Sequence, residues 1–156
     1  MSLFMATPTN DQTLYDKDFY LWIQETANLL KTRQLDQLDY ENLIDEVESL
    51  GRLERSNLRD SLNTLFRNLL KWKYLPSQED ETNESSANAL KASFELQEIL
   101  EVSPSLNAYF DEILEETYQT ARKFMMIEMS SNVFPVSLPF KKEEILNDDY
   151  YFPEKD

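Results

Sequence analysis

Apolar residues recur at helical spacing over most of this chain. Phe19, Trp22, Ile23, Ala27 and Leu30 lie three or four apart, which places them on one face of a helix. That pattern predicts a first helix over 18–33. Asp16 or Asp18 stands at its start, where an aspartate can cap, and Lys31 and Arg33 stand at its end, where the helix dipole favours cations. A connector over 34–38 follows. Asp39 then caps a long helical segment that reaches residue 74 and is stopped by Pro76. At 100° per residue, Ile44, Val47, Leu58, Leu62, Leu65, Phe66 and Leu69 fall within an arc of about 100°. The phase is the same on both sides of Gly51, so one helix on the order of 50 Å long is expected. Gly51 falls near the middle of the arc. A glycine there either lets another helix approach or lets the helix bend, or it ends a helix at a left-handed C′ position.

Residues 76–88 are polar and acidic and read as a loop. A third helix is predicted over 86–102, with Leu90, Phe94, Leu96, Ile99 and Leu100 as its apolar contacts. Ser103 and Pro104 suit the cap and first position of a fourth helix reaching residue 129. Its apolar set is Leu106, Phe110, Ile113, Leu114, Tyr118, Ala121 and Met125. Pro135 and Pro139 then interleave with Val133, Phe134, Val136, Leu138 and Phe140, which excludes a helix and predicts an extended arm packed along the bundle. A short helix over 142–147 follows, and Tyr150, Tyr151 and Phe152 dock the tail. The expected fold is therefore all-α: an antiparallel bundle of about four main helices, one of them long, with a bend at Gly51 left open, and an extended C-terminal arm. The expected organisation is a flexible segment over 1–15, a single helical domain over 16–152 holding the acidic loop 76–88, and a tail over 153–156.

Composition narrows the chemistry. The 156 residues include no histidine, no cysteine and one glycine. That removes imidazole bases, thiolates, disulfides and glycine-rich phosphate loops. No cofactor is expected, and a hard cation held by carboxylates is the metal chemistry left open. Asp45, Glu46 and Glu48 form one acidic set, and Asp111, Glu112, Glu115 and Glu116 another. They read first as solvated faces, with a carboxylate-based Mg/Mn enzyme as an alternative. The net charge of -15 repels nucleic acid and anionic membranes and suits a basic protein partner. No apolar run approaches membrane-spanning length, and the first six residues lack a basic signal-peptide start, so the expected location is cytoplasmic.

The charge is uneven. Residues 1–78 carry 9 basic and 12 acidic side chains, whereas residues 79–156 carry 6 and 18. Within the first half, Arg52, Arg55, Arg59, Arg67, Lys71 and Lys73 make a locally basic stretch. With Trp72 between its lysines, this is the candidate interaction surface. The competing reading pairs the stretch with the acidic second half and makes Trp72 a core residue with snorkelling neighbours.

Four segments together resemble a known family: 18–22 (Asp-Phe-Tyr-Leu-Trp), 41–51 (Glu-Asn-Leu-Ile-Asp-Glu-Val-Glu-Ser-Leu-Gly), 69–72 (Leu-Leu-Lys-Trp) and 103–106 (Ser-Pro-Ser-Leu). In this order they resemble the bacterial domain-of-unknown-function family 29, over about residues 15–151. The resemblance implies an all-helical domain and brings no activity, substrate or catalytic residue with it. Members often carry histidine where Asn68 stands, and a Trp- and Arg-rich stretch where this chain has the acidic residues 79–84. The expected function is a non-enzymatic interaction module whose partner is a protein, with a basic partner and a homo-oligomer both open. An acidic mimic or antitoxin-like partner of a basic protein is the alternative to it.

Overall fold

The computed structural model describes residues 12–75 and 79–152. Six α-helices stand among them: α1 (Leu14–Lys17), α2 (Phe19–Lys31), α3 (Tyr40–Tyr74), α4 (Glu79–Val102), α5 (Leu106–Glu128) and α6 (Lys142–Ile145). Short 3-10 turns occupy Leu35–Gln37 and Asp148–Tyr151. No strand occurs among the described residues, and no described helix is long and apolar enough to cross a membrane. The fold is all-α.

The helix ends follow capping chemistry. The Asp18 carboxylate accepts from the Leu21 backbone N–H at 3.0 Å and starts α2. The Asp39 carboxylate does the same for Asn42 at 3.3 Å and starts α3. At the end of α2, Arg33 takes a left-handed backbone (φ 59°). The Gln34 N–H then reaches the Leu29 carbonyl and the Arg33 N–H the Leu30 carbonyl, the paired bonds of a Schellman cap. Ser130 (φ 48°) closes α5 the same way, with Ser131 bonding to Met126 and Ser130 to Ile127.

Three boundaries differ from expectation. The helix α4 begins at Glu79, not near 86, so residues 79–88 are helical and not loop. Glu81, exposed in the first turn, suits the helix dipole. The helix α5 begins at Leu106, and Ser103 does not cap it. The Ser103 N–H is still bonded to the Ile99 carbonyl, so this serine finishes α4. Residues 14 and 15, placed in the flexible N-terminal segment by their polarity, belong to α1, which forms under a Thr13–Asp16 capping box. Residues 1–11 of that segment, residues 76–78 and the tail 153–156 lie outside the described residues.

The chain gathers into two compact units, one reaching to Leu50 and the other beginning at Gly51, within what the hydrophobic pattern drew as one domain. The first unit is a helical hairpin of α2 and the start of α3, with α1 folded onto α2. The Tyr15 ring meets Trp22 edge-on at 5.0 Å and Phe19 at 5.5 Å. Its hydroxyl donates to the Glu46 carboxylate at 2.5 Å, which pushes the phenol above its ordinary pKa. Only Trp22 and Leu38 are buried among its described large apolar residues.

The second unit holds the core. From α3 come Leu58, Leu62, Leu65, Phe66, Leu69 and Leu70, all inaccessible to solvent. From α5 come Phe110, Ile113, Tyr118, Ala121 and Met125. The helix α4 supplies Ala89, Ala92, Leu96 and Leu100, with Ser85 and Ser93 buried beside them. Small side chains carry much of that face, and Phe94, expected inside, is half exposed.

The extended arm lies against α5 as the prolines require. Its carbonyls are satisfied by side chains: Tyr118 donates to Pro135 (2.6 Å), Gln119 to Val136 (2.7 Å) and Arg122 to Phe134 (3.1 Å). Phe134 and Phe140 are buried, and Val133 and Val136 face out. In the tail, Tyr151 is buried against Trp72 and Phe152 is exposed.

Gly51 neither ends a helix nor makes room for a neighbour. The helix α3 runs on through it, so it ends nothing. A Cβ built there would meet nothing within 4 Å, so it admits no close neighbour.

Candidate functional site

The basic stretch of α3 is engaged within the second unit. The Arg55 guanidinium lies over the Tyr109 ring at 4.0 Å. Arg59 donates to the Tyr109 hydroxyl at 3.1 Å and stands 3.9 Å from Glu116. Arg67 pairs with Glu128 at 2.6 Å. Lys73 lies over the Trp72 ring at 3.6 Å, and Trp72 stacks on Tyr151. Lys71 and Arg67 border a small polar hollow of about 150 Å³ with Thr64, Asn68, Met125 and Glu128. Asn68 spends its amide on the Thr64 carbonyl at 2.8 Å. Arg52 is exposed. Arg55, Arg59, Arg67, Trp72 and Lys73 thus contact aromatic rings or carboxylates of their own chain. The exposed ion pairs Arg59–Glu116 and Arg67–Glu128 contribute little each, roughly 0.5 kcal/mol, and join α3 to α5.

Neither acidic set gathers its own carboxylates into a metal-holding cluster among the described residues. Asp45 and Glu48 are exposed on α3, and Glu46 accepts from Tyr15. On α5, Asp111 pairs with Lys142 at 2.6 Å, and Glu115 accepts from Gln119 at 2.9 Å. Among the described residues no three carboxylates converge as metal ligands would.

A different feature stands out in the first unit. Between α2 and α3 lies an open groove of about 290 Å³, lined by Phe19, Trp22, Ile23, Thr26, Ala27, Leu30, Leu43, Glu46, Val47 and Leu50. Its geometry follows from the sequence. Residues 19, 22, 23, 26, 27 and 30 form one stripe of α2, and 43, 46, 47 and 50 one stripe of α3. The hairpin turns the stripes toward each other but buries only their shared seam. Phe19, Ile23 and Leu30 stay 41–45% exposed, and Val47 and Leu50 60% and 63%. Ile44, beside the groove, is 54% exposed. The one charged lining residue, Glu46, is already engaged by Tyr15.

Phe19, Ile23, Leu30, Ile44 and Val47 lie on the apolar faces that their spacing predicts, but a face with helical spacing can be covered or open. Helix length is the signal that distinguishes the two cases. A partner of 24 or 23 residues, the lengths of α4 and α5, spans about 36 Å at 1.5 Å per residue, whereas the 35 residues of α3 span about 52 Å. An apolar stripe along all of α3 is longer than either helix could bury.

No curated protein and no solved structure matches the chain. A family model does, over residues 14–151, nearly the whole of the described chain. By that match, this protein belongs to the family described as Domain of unknown function DUF29.

Proposed function

We propose that this is a cytoplasmic protein that acts by binding another protein through the groove between α2 and α3. The observation that supports this reading is the run of half-exposed apolar side chains on two facing helical stripes. Apolar area of this kind, gathered in one concave place, marks an interaction surface on a folded protein. Helices that present spaced apolar anchors in a groove take up a further helix in the same way that bundle helices pack on each other.

The test is photocrosslinking in the native cell. A benzophenone amino acid replaces Val47 in one variant and Ile127, which is 80% exposed on α5, in another. The expected result is a discrete protein adduct from position 47 and none from position 127. Absence of any adduct at 47, or equal smears from both positions, would remove the reading.

A further inference from the structure

The groove's chemistry identifies its occupant. Resting on the reading above, we infer that the partner of the α2/α3 hairpin is the same hairpin of a second copy, the two pairing about a twofold axis into four helices. Three observations carry this.

The first is that the hairpin is half of a familiar assembly. Two helices cannot enclose a core between them, and here they bury only Trp22 and Leu38 among the described large apolar residues of this unit. Four helices can enclose one, with the side chains at 19, 23, 30, 47 and 50 becoming the interior layers. A twofold pair needs one self-complementary patch on each copy, and a groove with matching apolar stripes on both walls is such a patch.

The second is area. Phe19, Ile23, Leu30, Ile44, Val47 and Leu50 each leave roughly 80–110 Å² in solvent, so two copies bring together on the order of 1,000 Å², the floor for a specific interface.

The third is the placement of charge. The first unit is acidic: residues 12–50 hold nine Asp and Glu against three Lys and Arg. A groove made for a basic helix would carry those carboxylates on its walls. Instead Glu41, Asp45 and Glu48 are exposed and fall on the side of α3 opposite positions 43, 47 and 50. The lining is uncharged except for Glu46, which is bonded to Tyr15. The outward carboxylates oppose pairing only through solvent, where salt screens them.

The experiment is sedimentation of the purified full chain. At about 50 µM it is expected to sediment as a dimer, twice the 18.5 kDa chain mass, with dissociation in the micromolar range. Val47→Asp and Ile23→Asp place like charges across the twofold axis at positions already open to solvent, so helicity by circular dichroism stays unchanged and the dimer weakens by about tenfold or more. Val47→Ala, a milder change, weakens it less. Raising the salt concentration tightens the dimer, since the copies carry like charge. A monomer at all concentrations overturns the inference, as does a dimer that survives both aspartate substitutions or loosens with added salt. A monomer in sedimentation together with a position-47 adduct to a different protein would remove the second copy and leave the binding reading standing. A monomer with no adduct would remove both.

Discussion

The chain's single glycine stands in the interior of α3, with helical backbone and open space where a Cβ would be. Two sites that favour glycine, the left-handed positions after α2 and α5, are held by Arg33 and Ser130. Helix chemistry predicts the sign of exchanging them. Gly51→Ala removes unfolded-state freedom and should stabilise the chain by roughly 0.5–1 kcal/mol. Ser130→Gly relieves a left-handed L-residue and should add about 1 kcal/mol. Urea midpoints check both, and a fall in either would contradict the local geometry. A second residue-scale prediction concerns pH. Burial pushes the Tyr118 phenol from 10.0 up to about 12, with its hydroxyl donating to the Pro135 carbonyl. The folded state therefore holds this proton more tightly than the unfolded chain does. The resulting stability is present below about pH 10 and is lost as pH rises from about 10 to about 12. Tyr151, raised in the same direction by burial, adds to the fall. Urea midpoints should be flat up to about pH 9.5 and drop above it, less steeply in Tyr118→Phe.

At the scale of elements, α3 has two halves of one sequence pattern and two different environments. Leu58, Leu62 and Leu65 are fully buried, whereas Ile44, Val47 and Leu50 are more than half exposed. Leu62→Ala should cost about 2–5 kcal/mol in unfolding experiments. Ile44→Ala, assayed at protein concentrations well below dimer dissociation, should change stability by about 1 kcal/mol or less. Equal costs would mean that the exposed half is covered within the monomer. The same contrast shows what the sequence makes legible. Periodicity located α2, α3 and α5 and the proline-bounded arm, because each is written in local spacing and caps. The start of α4 was not legible from apolar periodicity: its contact face is built of Ser85, Ala89, Ala92 and Ser93, whose small side chains carry little hydrophobic signal. The groove was legible as apolar residues and not as a groove, because period alone does not say whether a partner helix is long enough to cover the stripe.

For the whole molecule, the net charge of -15 and the apolar groove belong to different surfaces. Charge dominates the outer faces of α4 and α5, and the basic residues of α3 are drawn onto Tyr109, Glu116 and Glu128 of α5. The groove is nearly free of charge. The proposed pairing through it is then driven by apolar burial and opposed by a screened repulsion, a combination that strengthens with salt.

Because the chain contains no cysteine, an introduced thiol reports on a second copy alone. The most direct measurement is therefore crosslinking of Val47→Cys and Ile127→Cys with a short bismaleimide in separate samples of purified protein at the same concentration. The account predicts a covalent dimer from position 47, suppressed when Ile23→Asp is added, and no dimer above background from position 127. No dimer from position 47, or equal dimer from both positions, would contradict it.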